Sequence, residues 1–473
     1  MRSEEVKRTA PPRPTILSPA GGGRGERAGD SVNHRPVERV YREVRPGVGA
    51  EPGAQRATGE GDHNLPAADY DVLIAGGGMV GASLAAALAP LPLKIAVVEA
   101  VPFGRHGQPS YDERITAISW GSRCIFESIG LWEHMAPEAT AIHHIHVSDR
   151  GYFGMTRLHA QEMHVQSLGY VVPNRVIGRA LSEFLSRQPH ITLLAPAKIS
   201  EVSVQCDAVI AKVEGEDARP LKARLLVAAD GASSTIREQL GITARTWDYG
   251  QSAIICNVSV QRPQPGIAFE RFTDSGPLAL LPMGDDRYAL IWTVASPCVP
   301  AVLAMTDTEF LETAADRFNG RCGRFMRAGR RQAYPLSLVR AGAQLHRRVV
   351  VIGNAAHSLH PIAGQGFNLS LRDVAVLADT LADIAASGGD AGEEQRLAAY
   401  VRARRCDQLG TSLFTDFLAR VFTNPLPPVV WARNAGLLAL ELLPPARHLL
   451  TRRNMGLAGR LPRLVRGVNL TRI

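Results

Sequence analysis

The sequence predicts an α/β fold: a parallel sheet, a mostly β portion looped out of it, and a helical C-terminal part. Three observations predict it. An apolar run, Val72-Leu73-Ile74-Ala75, leads through Gly76-Gly77-Gly78-Met79-Val80-Gly81 into an alanine-rich stretch. Two more glycine-bearing loops, at Asp230-Gly231 and Gly353-Asn354, each follow an apolar strand pattern. From Leu369 onward the pattern is helical.

The elements follow in chain order. Residues 1–66 hold ten Gly, eight Pro and one aromatic, Tyr41, with eleven basic and nine acidic residues mixed through them. Such a segment cannot bury enough apolar surface to order itself, so a disordered extension is expected. It lacks the apolar core of a secretory signal, and its acids and prolines fit a transit peptide poorly. Its run Gly21-Gly22-Gly23-Arg24-Gly25 has no strand before it and is not counted as a nucleotide loop.

The folded part opens at Tyr70. A buried strand, a glycine turn, the helix Ala82–Ala89 and the strand Lys94–Val98 make a βαβ unit. Alternating segments follow at His143–Leu158 and Leu168–Val172, helical periodicity at Val176–Arg187 and a strand at Leu225–Ala229. Residues 250–295 read as strands ending in Tyr288–Thr293, and Val349–Ile352 as a buried strand. The three loops can act together only if the chain between the later two loops out. Residues 67–140, 173–248 and 335–400 are therefore assigned to one discontinuous nucleotide-binding domain. Residues 141–172 and 249–334 form an inserted β-sheet domain, and 401–473 a C-terminal helical region.

Each loop has a physical task. Gly76, Gly78 and Gly81 fit the G-x-G-x-x-G fingerprint between strand and helix. They provide the tight turn, the close backbone approach to a pyrophosphate and the close helix packing. The helix N-terminus offers free N–H groups to phosphates. Glu99, 21 residues after Gly78, ends the second strand, where a carboxylate can accept from ribose hydroxyls. Asp230 can hold a cofactor hydroxyl and Gly231 lets the backbone approach; an ordinary Asp-Gly turn is the alternative. Asn354 ends a strand, where its amide can bond a ribityl chain. Gly364, Gln365 and Gly366 open the helix Phe367–Ile384, whose uncapped N–H groups would stabilise negative charge on a reduced ring, with Pro361 beside it. One complete fingerprint with two supporting loops points to FAD. A nicotinamide would then visit without a domain of its own. His357 and His360 suit packing as well as acid–base work, and Arg114 alone reads as a surface arginine.

Composition excludes other classes. No stretch reaches the ~20 apolar residues of a membrane-spanning helix. The six cysteines (124, 206, 256, 298, 322, 406) contain no C-x-x-C pair, which argues for a reducing compartment and against zinc or disulfides. No metal cluster and no G-x-S-x-G nucleophile motif is visible. The net charge is +8, yet seven arginines and no acid follow Glu441, so the main body is near neutral and nucleic acid is not an expected partner.

Together, in this order, the three motifs resemble those of the class A flavoprotein monooxygenases, the aromatic-ring hydroxylases related to p-hydroxybenzoate hydroxylase, over residues 70–460. The stretch Ala268-Phe269-Glu270-Arg271-Phe272-Thr273 through Met283, the start Gly353-Asn354-Ala355-Ala356 and the tail Arg433-Asn434-Ala435-Gly436-Leu437 resemble the ubiquinone-biosynthesis branch, of the 2-polyprenyl-6-methoxyphenol hydroxylase type. The resemblance implies a Rossmann-like FAD-binding domain with an inserted β substrate domain. It also implies FAD as cofactor, NAD(P)H as co-substrate, and hydroxylation of a polyprenyl phenol with O2 through a flavin C4a-hydroperoxide.

By position, Gly76, Gly78, Gly81 and Glu99 would hold the ADP half of FAD, and Arg114 its ribityl or phosphate region. Asp230 with Gly231 would serve FAD and NAD(P)H. Asn354, Pro361, Gly364, Gly366, Phe367 and Asn368 would surround the ribityl chain and isoalloxazine. Two positions depart from the superfamily: Asn354 replaces the usual Asp, and Pro173 stands where many relatives have Glu or Gln. No catalytic acid or base is assigned.

A polyprenyl substrate implies an apolar channel, for which Leu278, Ala279, Leu280, Leu281 and Trp292 are the candidates, core packing being the alternative for each. The C-terminal segment with Leu449, Leu450, Met455, Leu457, Leu461, Leu464 and Val465 would lie on anionic lipid or bind another quinone-biosynthesis protein; a solvated helix is the alternative. The expected location is the bacterial cytoplasm, free or peripheral at the inner membrane. The competing functions are an FAD reductase without oxygen insertion and a flavin-bound scaffold subunit. A halogenase is disfavoured because no W-x-W-x-I-P occurs.

Overall fold

Val72, Leu73 and Ile74 are wholly buried because both faces of their sheet are covered, the situation that selects continuous apolar runs. A computed structural model describes residues 68–102, 114–215 and 219–471. The expected extension, 1–66, lies outside them, as do Asp112 and Glu113. The described helices of ten or more residues are α1 (Met79–Leu88), α2 (Trp120–Ile129), α3 (Asn174–Ser186), α4 (Asp307–Phe318), α5 (Gln365–Ala386), α6 (Glu394–Thr423), α7 (Pro427–Leu442) and α8 (Pro444–Asn454).

The first sheet runs in the order Leu345–His346, Val349–Val351, Pro220–Ala228, Tyr70–Ala75, Ile95–Val98, Ile191–Leu194. Its four central pairings are parallel. The hairpin Ala197–Val204 and Val209–Gly215 extends it antiparallel from Pro220–Ala228. After Tyr70–Ala75 the chain builds to one side, through Ile95–Val98, and later to the other, through Pro220–Ala228. That reversal is the switch point where open α/β sheets bind ligands at their carboxyl ends. Helix α1 packs against α3 and α5 on one face, and a Val/Ala/Leu cluster fills the other.

A second sheet of nine strands carries the order His357–Ser358, Gln332–Ala341, Ala244–Val260, Arg287–Ala295, Gly276–Pro282, Ile267–Thr273, His144–Asp149, Met155–His159, with Phe325–Ala328 paired to Ala244–Val260. All its pairings are antiparallel except Ile267–Thr273 with His144–Asp149. Ala244–Val260 and Gln332–Ala341 run unbroken through positions 248 and 334. The two sheets belong to one compact unit, Asn64–Ile473. A small sheet, Ile115–Ser119, Gly169–Pro173 and Thr140–Ile142, lies along the chain between them.

The C-terminal segment packs in part into the core. Met455, Leu464, Val465 and Leu470 are buried, the last three within the same core cluster as α1 and α5. Gly121 N–H donates to Met455 O at 2.9 Å, Ser128 Oγ to Leu464 O at 2.6 Å, and Arg447 pairs with Glu162 at 2.8 Å. Of the apolar residues that gave the segment its amphipathic pattern, Met455, Leu464 and Val465 complete a core, while Leu449 stays exposed.

Candidate functional site

The three sequence motifs meet because their strands are neighbours. Ala229 N–H donates to Ala75 O at 2.8 Å and Ile352 N–H to Ala228 O at 3.0 Å, so the loops leave adjacent strand ends. On the other side Gly76 N–H donates to Val98 O at 2.8 Å, and Gly77 N–H to Glu99 Oε2 at 2.6 Å. Gly76, Glu99, Asp230 and Asn354 thus stand in one row along the carboxyl edge of four strands. A Cβ on Gly81 would lie 1.9 Å from Gly76 O, so only glycine lets α1 pack this closely on its strand. Arg237, inside the second motif, ties it to the third: its guanidinium donates to Ala355 O at 2.8 Å and Ala232 O at 3.0 Å.

A cavity of about 640 Å³ extends from this edge to the nine-stranded sheet. At the near end lie Gly78–Val80, Arg114, Gly231, Asn354, Pro361 and the Gly364–Asn368 turn. Two helices present their N-termini there. Neither α1, capped by Gly78, nor α5, capped by Gly364 at φ 60°, has a side-chain cap. Their first N–H groups remain for a ligand, with the positive ends of both helix dipoles behind them. Asp230 accepts from Ile236 N–H through Oδ2, while its buried Oδ1 has no hydrogen-bond partner among the described residues. An orphaned carboxylate oxygen, an acid at the end of the second strand and two uncapped helices are the donor and acceptor set that a dinucleotide with ribose hydroxyls and phosphates requires. The residues fit FAD.

Asn368 lines the cavity and also braces its turn. Its amide donates to Ala117 O (2.8 Å) and Gly364 O (2.7 Å), and its carbonyl accepts from Ser119 N (2.8 Å) and Ser122 Oγ (2.7 Å). From its place on the cavity wall that side chain clamps the turn beneath α5. Phe367 packs toward Phe126, 6.4 Å between centroids. Arg114 lies over the Tyr334 ring at 4.9 Å, on the cavity wall.

The far wall follows the period-two geometry of strands. Ala268, Glu270 and Phe272 face the cavity, with Pro277, Ala279 and Leu281, Ile291 and Thr293, Ala253 and Ile255 from the neighbouring strands. The residues between them point the other way. Leu278, Leu280 and Trp292 belong to a separate core with Phe310, 5.7 Å from Trp292. Of the five channel candidates, Ala279 and Leu281 line the cavity and Leu278, Leu280 and Trp292 do not. Helices α6, α7 and α8 close it with Phe414, Leu418, Leu437, Leu440 and Leu450.

Glu270 was not picked out by sequence reasoning. Among the described residues it is the one carboxylate lining this cavity. Burial pushes it up to about 7, opposed by a hydrogen bond from Ala363 N–H. Its signal was one charge on the inward parity of the strand Ile267–Thr273, between Ala268 and Phe272. His357 and His360 are both buried, and neither lines the cavity. His357 bonds buried Asp373, and His360, wholly buried edge-on against Tyr249 at 5.1 Å, is held by burial down to about 4. Among the described residues no group of three His, Cys, Asp or Glu could hold a metal, and the six cysteines are free thiols.

A sequence model of the FAD binding domain matches residues 69–408. The chain belongs to that family. Within this flavoprotein family it is 39% identical to a ubiquinone hydroxylase, UbiL, of Rhodospirillum rubrum, over 85% of this chain and 93% of the relative. It is 31% identical to the 3-demethoxyubiquinol 3-hydroxylase of Escherichia coli, over 78% of this chain and 94% of that one. The fold of this flavoprotein is shared with p-nitrophenol 4-monooxygenase PnpA from Pseudomonas putida: TM-score 0.68, 18% identity, covering 82% of this chain and 98% of that one.

Proposed function

We propose that this chain is an FAD- and NAD(P)H-dependent monooxygenase that hydroxylates the aromatic ring of a polyprenyl phenol in ubiquinone biosynthesis. The observation that carries it is one continuous cavity joining a dinucleotide cradle to an apolar wall. FAD, when bound, supplies the transfer of electrons from NAD(P)H and the activation of O2. Gly76, Gly78, Gly81 and Glu99 would hold its ADP half, Asp230 and Gly231 its linking hydroxyls, Arg114 its phosphate or ribityl region. Asn354, Pro361, Gly364, Gly366, Phe367 and Asn368 would flank the ribityl chain and ring. The chain's own residues bind and orient: the α5 N-terminus favours negative charge at the ring, and the apolar wall excludes water from the reacting carbon. The relatives named as hydroxylases do not favour a reductase or a scaffold.

The test is turnover of purified yellow protein with NAD(P)H, O2 and a short-chain prenylated phenol. The expected product carries one more oxygen atom by mass spectrometry. Oxidation of NAD(P)H with the phenol unchanged would instead support the reductase.

For an apolar substrate, the helices that close the cavity also offer a lipid-docking face. The outer side of α7 is free of charge: Trp431 is 67% exposed and Leu442 68%, with Leu438 between them. Its two charged residues are turned to partners, Arg433 to Asp149 and Glu441 to Arg157 N–H. Leu413, Phe417, Leu443 and Leu449 are exposed on the adjoining helices, and Arg452 and Arg453 supply the positive charge that anionic headgroups attract. The inner residues of these same helices line the cavity, so a peripheral position at a membrane would put its apolar end beside the lipid. Replacing Leu442, Leu443 and Leu449 together by Ser should abolish flotation with anionic vesicles while leaving turnover of a soluble phenol intact. Unchanged flotation would overturn this.

A further inference from the structure

We infer that Glu270 is the base that takes the hydroxyl proton of the phenol while the ring is oxygenated, an inference that rests on the hydroxylase reading above. The case is geometric. Glu270 sits at the middle of the cavity-facing row of its strand, opposite Ala279 on one neighbour and Val147 on the other. The described side chains beside it on that face are apolar except the hydroxyls of Thr156 and Thr293, so among the described residues a phenol entering the cavity meets one anionic acceptor. Ala363, in the turn that opens α5, lines the same cavity, and its N–H acts to lower the carboxyl. The acceptor is therefore fixed at the junction of the substrate wall and the cofactor turn. Ala363 is itself held at φ 56°, φ space that a non-glycine residue rarely adopts.

The charges nearby are engaged elsewhere. On the cavity wall Arg114 lies over Tyr334, whose hydroxyl donates to Gln332. Beside the turn, Tyr249 donates to Asp416 of α6, Asp416 accepts from Arg420, and His360 packs on Tyr249. Burial against a single N–H bond thus sets how tightly Glu270 holds a proton. A carboxylate poised near neutrality is the condition for effective general-base catalysis.

The step balances. The phenolic O–H bond breaks and the proton passes to Glu270. The electron pair stays on oxygen and feeds the ring as a ring carbon bonds the incoming oxygen atom, with O2 as oxidant and NAD(P)H as reductant. Glu270 returns its proton to the phenolic oxygen when that ring carbon sheds its hydrogen as a proton to water, so the group ends the cycle ionised.

The experiment compares wild type with Glu270→Gln as holoenzymes. Glutamine keeps an oxygen to accept from Ala363 N–H and removes the base. Flavin content and thermal melting report whether the turn survives. In wild type, hydroxylation should fall as pH drops through neutrality, and affinity for a short-chain prenylated phenol, read from the flavin spectrum, should weaken over the same range. In Glu270→Gln both profiles should be flat, hydroxylation should drop ~100-fold, and NAD(P)H oxidation should continue. Wild-type rates and profiles in Glu270→Gln would mean that Glu270 only pins the turn, and would overturn the inference. If wild type oxygenates no phenol, the hydroxylase reading fails, and the binding profile alone still reports whether Glu270 is the acceptor.

Discussion

His357 Nε2 lies 2.5 Å from Asp373 Oδ2, both side chains buried beneath the third cofactor motif. The same carboxylate accepts from Arg404 at 2.6 Å and Gln408 at 2.9 Å, so α5 and α6 are joined through one fully satisfied acid. Burial would raise the Asp373 carboxyl, but Arg404 and His357 overcome that and hold it well below the usual range. Removing one partner strands a buried charge. Asp373→Asn should cost about 3 kcal/mol of stability in urea melts. Because its folded value is depressed, Asp373 contributes stability above the ordinary carboxylate range, and that is lost as pH falls; the variant should show a shallower acid transition. His357→Asn should lower stability by about 1 kcal/mol and leave the pH profile of hydroxylation unchanged.

Gly81→Ala places a methyl group against Gly76 O, where the backbone has no room. Helix α1 must then move off its strand, and its N-terminus off the cofactor edge. The purified variant should carry less than about a tenth of the wild-type flavin, a loss of more than 1.4 kcal/mol in cofactor affinity, read from the ratio of flavin to protein absorbance. Wild-type flavin content would argue against the row of loops as the cradle.

Glu270 also has a stability signature. Its folded value, about 7, is above the ordinary carboxyl value, so the native state binds its proton more tightly than the unfolded chain does. Below about pH 4 both states are protonated and nothing is lost. As pH rises to 7, ionisation increasingly favours unfolding. Glu270→Gln should therefore raise the substrate-free melting stability at pH 8, by about 2 kcal/mol, and change little at pH 4. Equal gains at both pH values would show that burial does not perturb this group.

Neighbouring residues of one strand should give opposite outcomes. Ala279→Phe fills the chamber: flavin content and melting should hold within about 1 kcal/mol while prenyl-phenol turnover falls at least ~10-fold. Leu280→Ala empties the core behind the sheet: stability should fall by about 2–5 kcal/mol, with kcat per folded flavoprotein largely kept. Denaturant melts and steady-state kinetics on both variants check the assignment of faces.

The cofactor edge was legible in the sequence because its chemistry is local. A strand, a glycine turn and a helix are contiguous at Val72–Ala89, and the acid of the second strand stands at a fixed distance from them. The wall of the second sheet was legible only by parity. The run Leu278–Leu281 is apolar throughout, so it announces a strand buried on both faces and hides which face meets substrate. Glu270 and the Asp373 network were hidden for another reason. Their partners, Ala363 and Arg404, lie 93 and 31 residues away, and burial arises from elements that no local pattern reports. In the C-terminal segment one amphipathic pattern suits a lipid surface and a protein core equally well, and its residues divide between them: Leu464 and Val465 are buried and Leu449 is exposed.

The alternation along the nine-stranded sheet has a consequence for how such a protein can change. Ala253, Ile255, Ala279, Leu281 and Ile291 shape the chamber, whereas Ile254, Leu280, Leu290 and Trp292 hold the sheet to its helical backing. Specificity and foldability are thus written on opposite sides of the same strands. Successive small replacements on one side can re-cut the chamber for a new ring or a longer tail while the other side stays intact, so acquiring a new substrate need not pass through an unstable intermediate sequence.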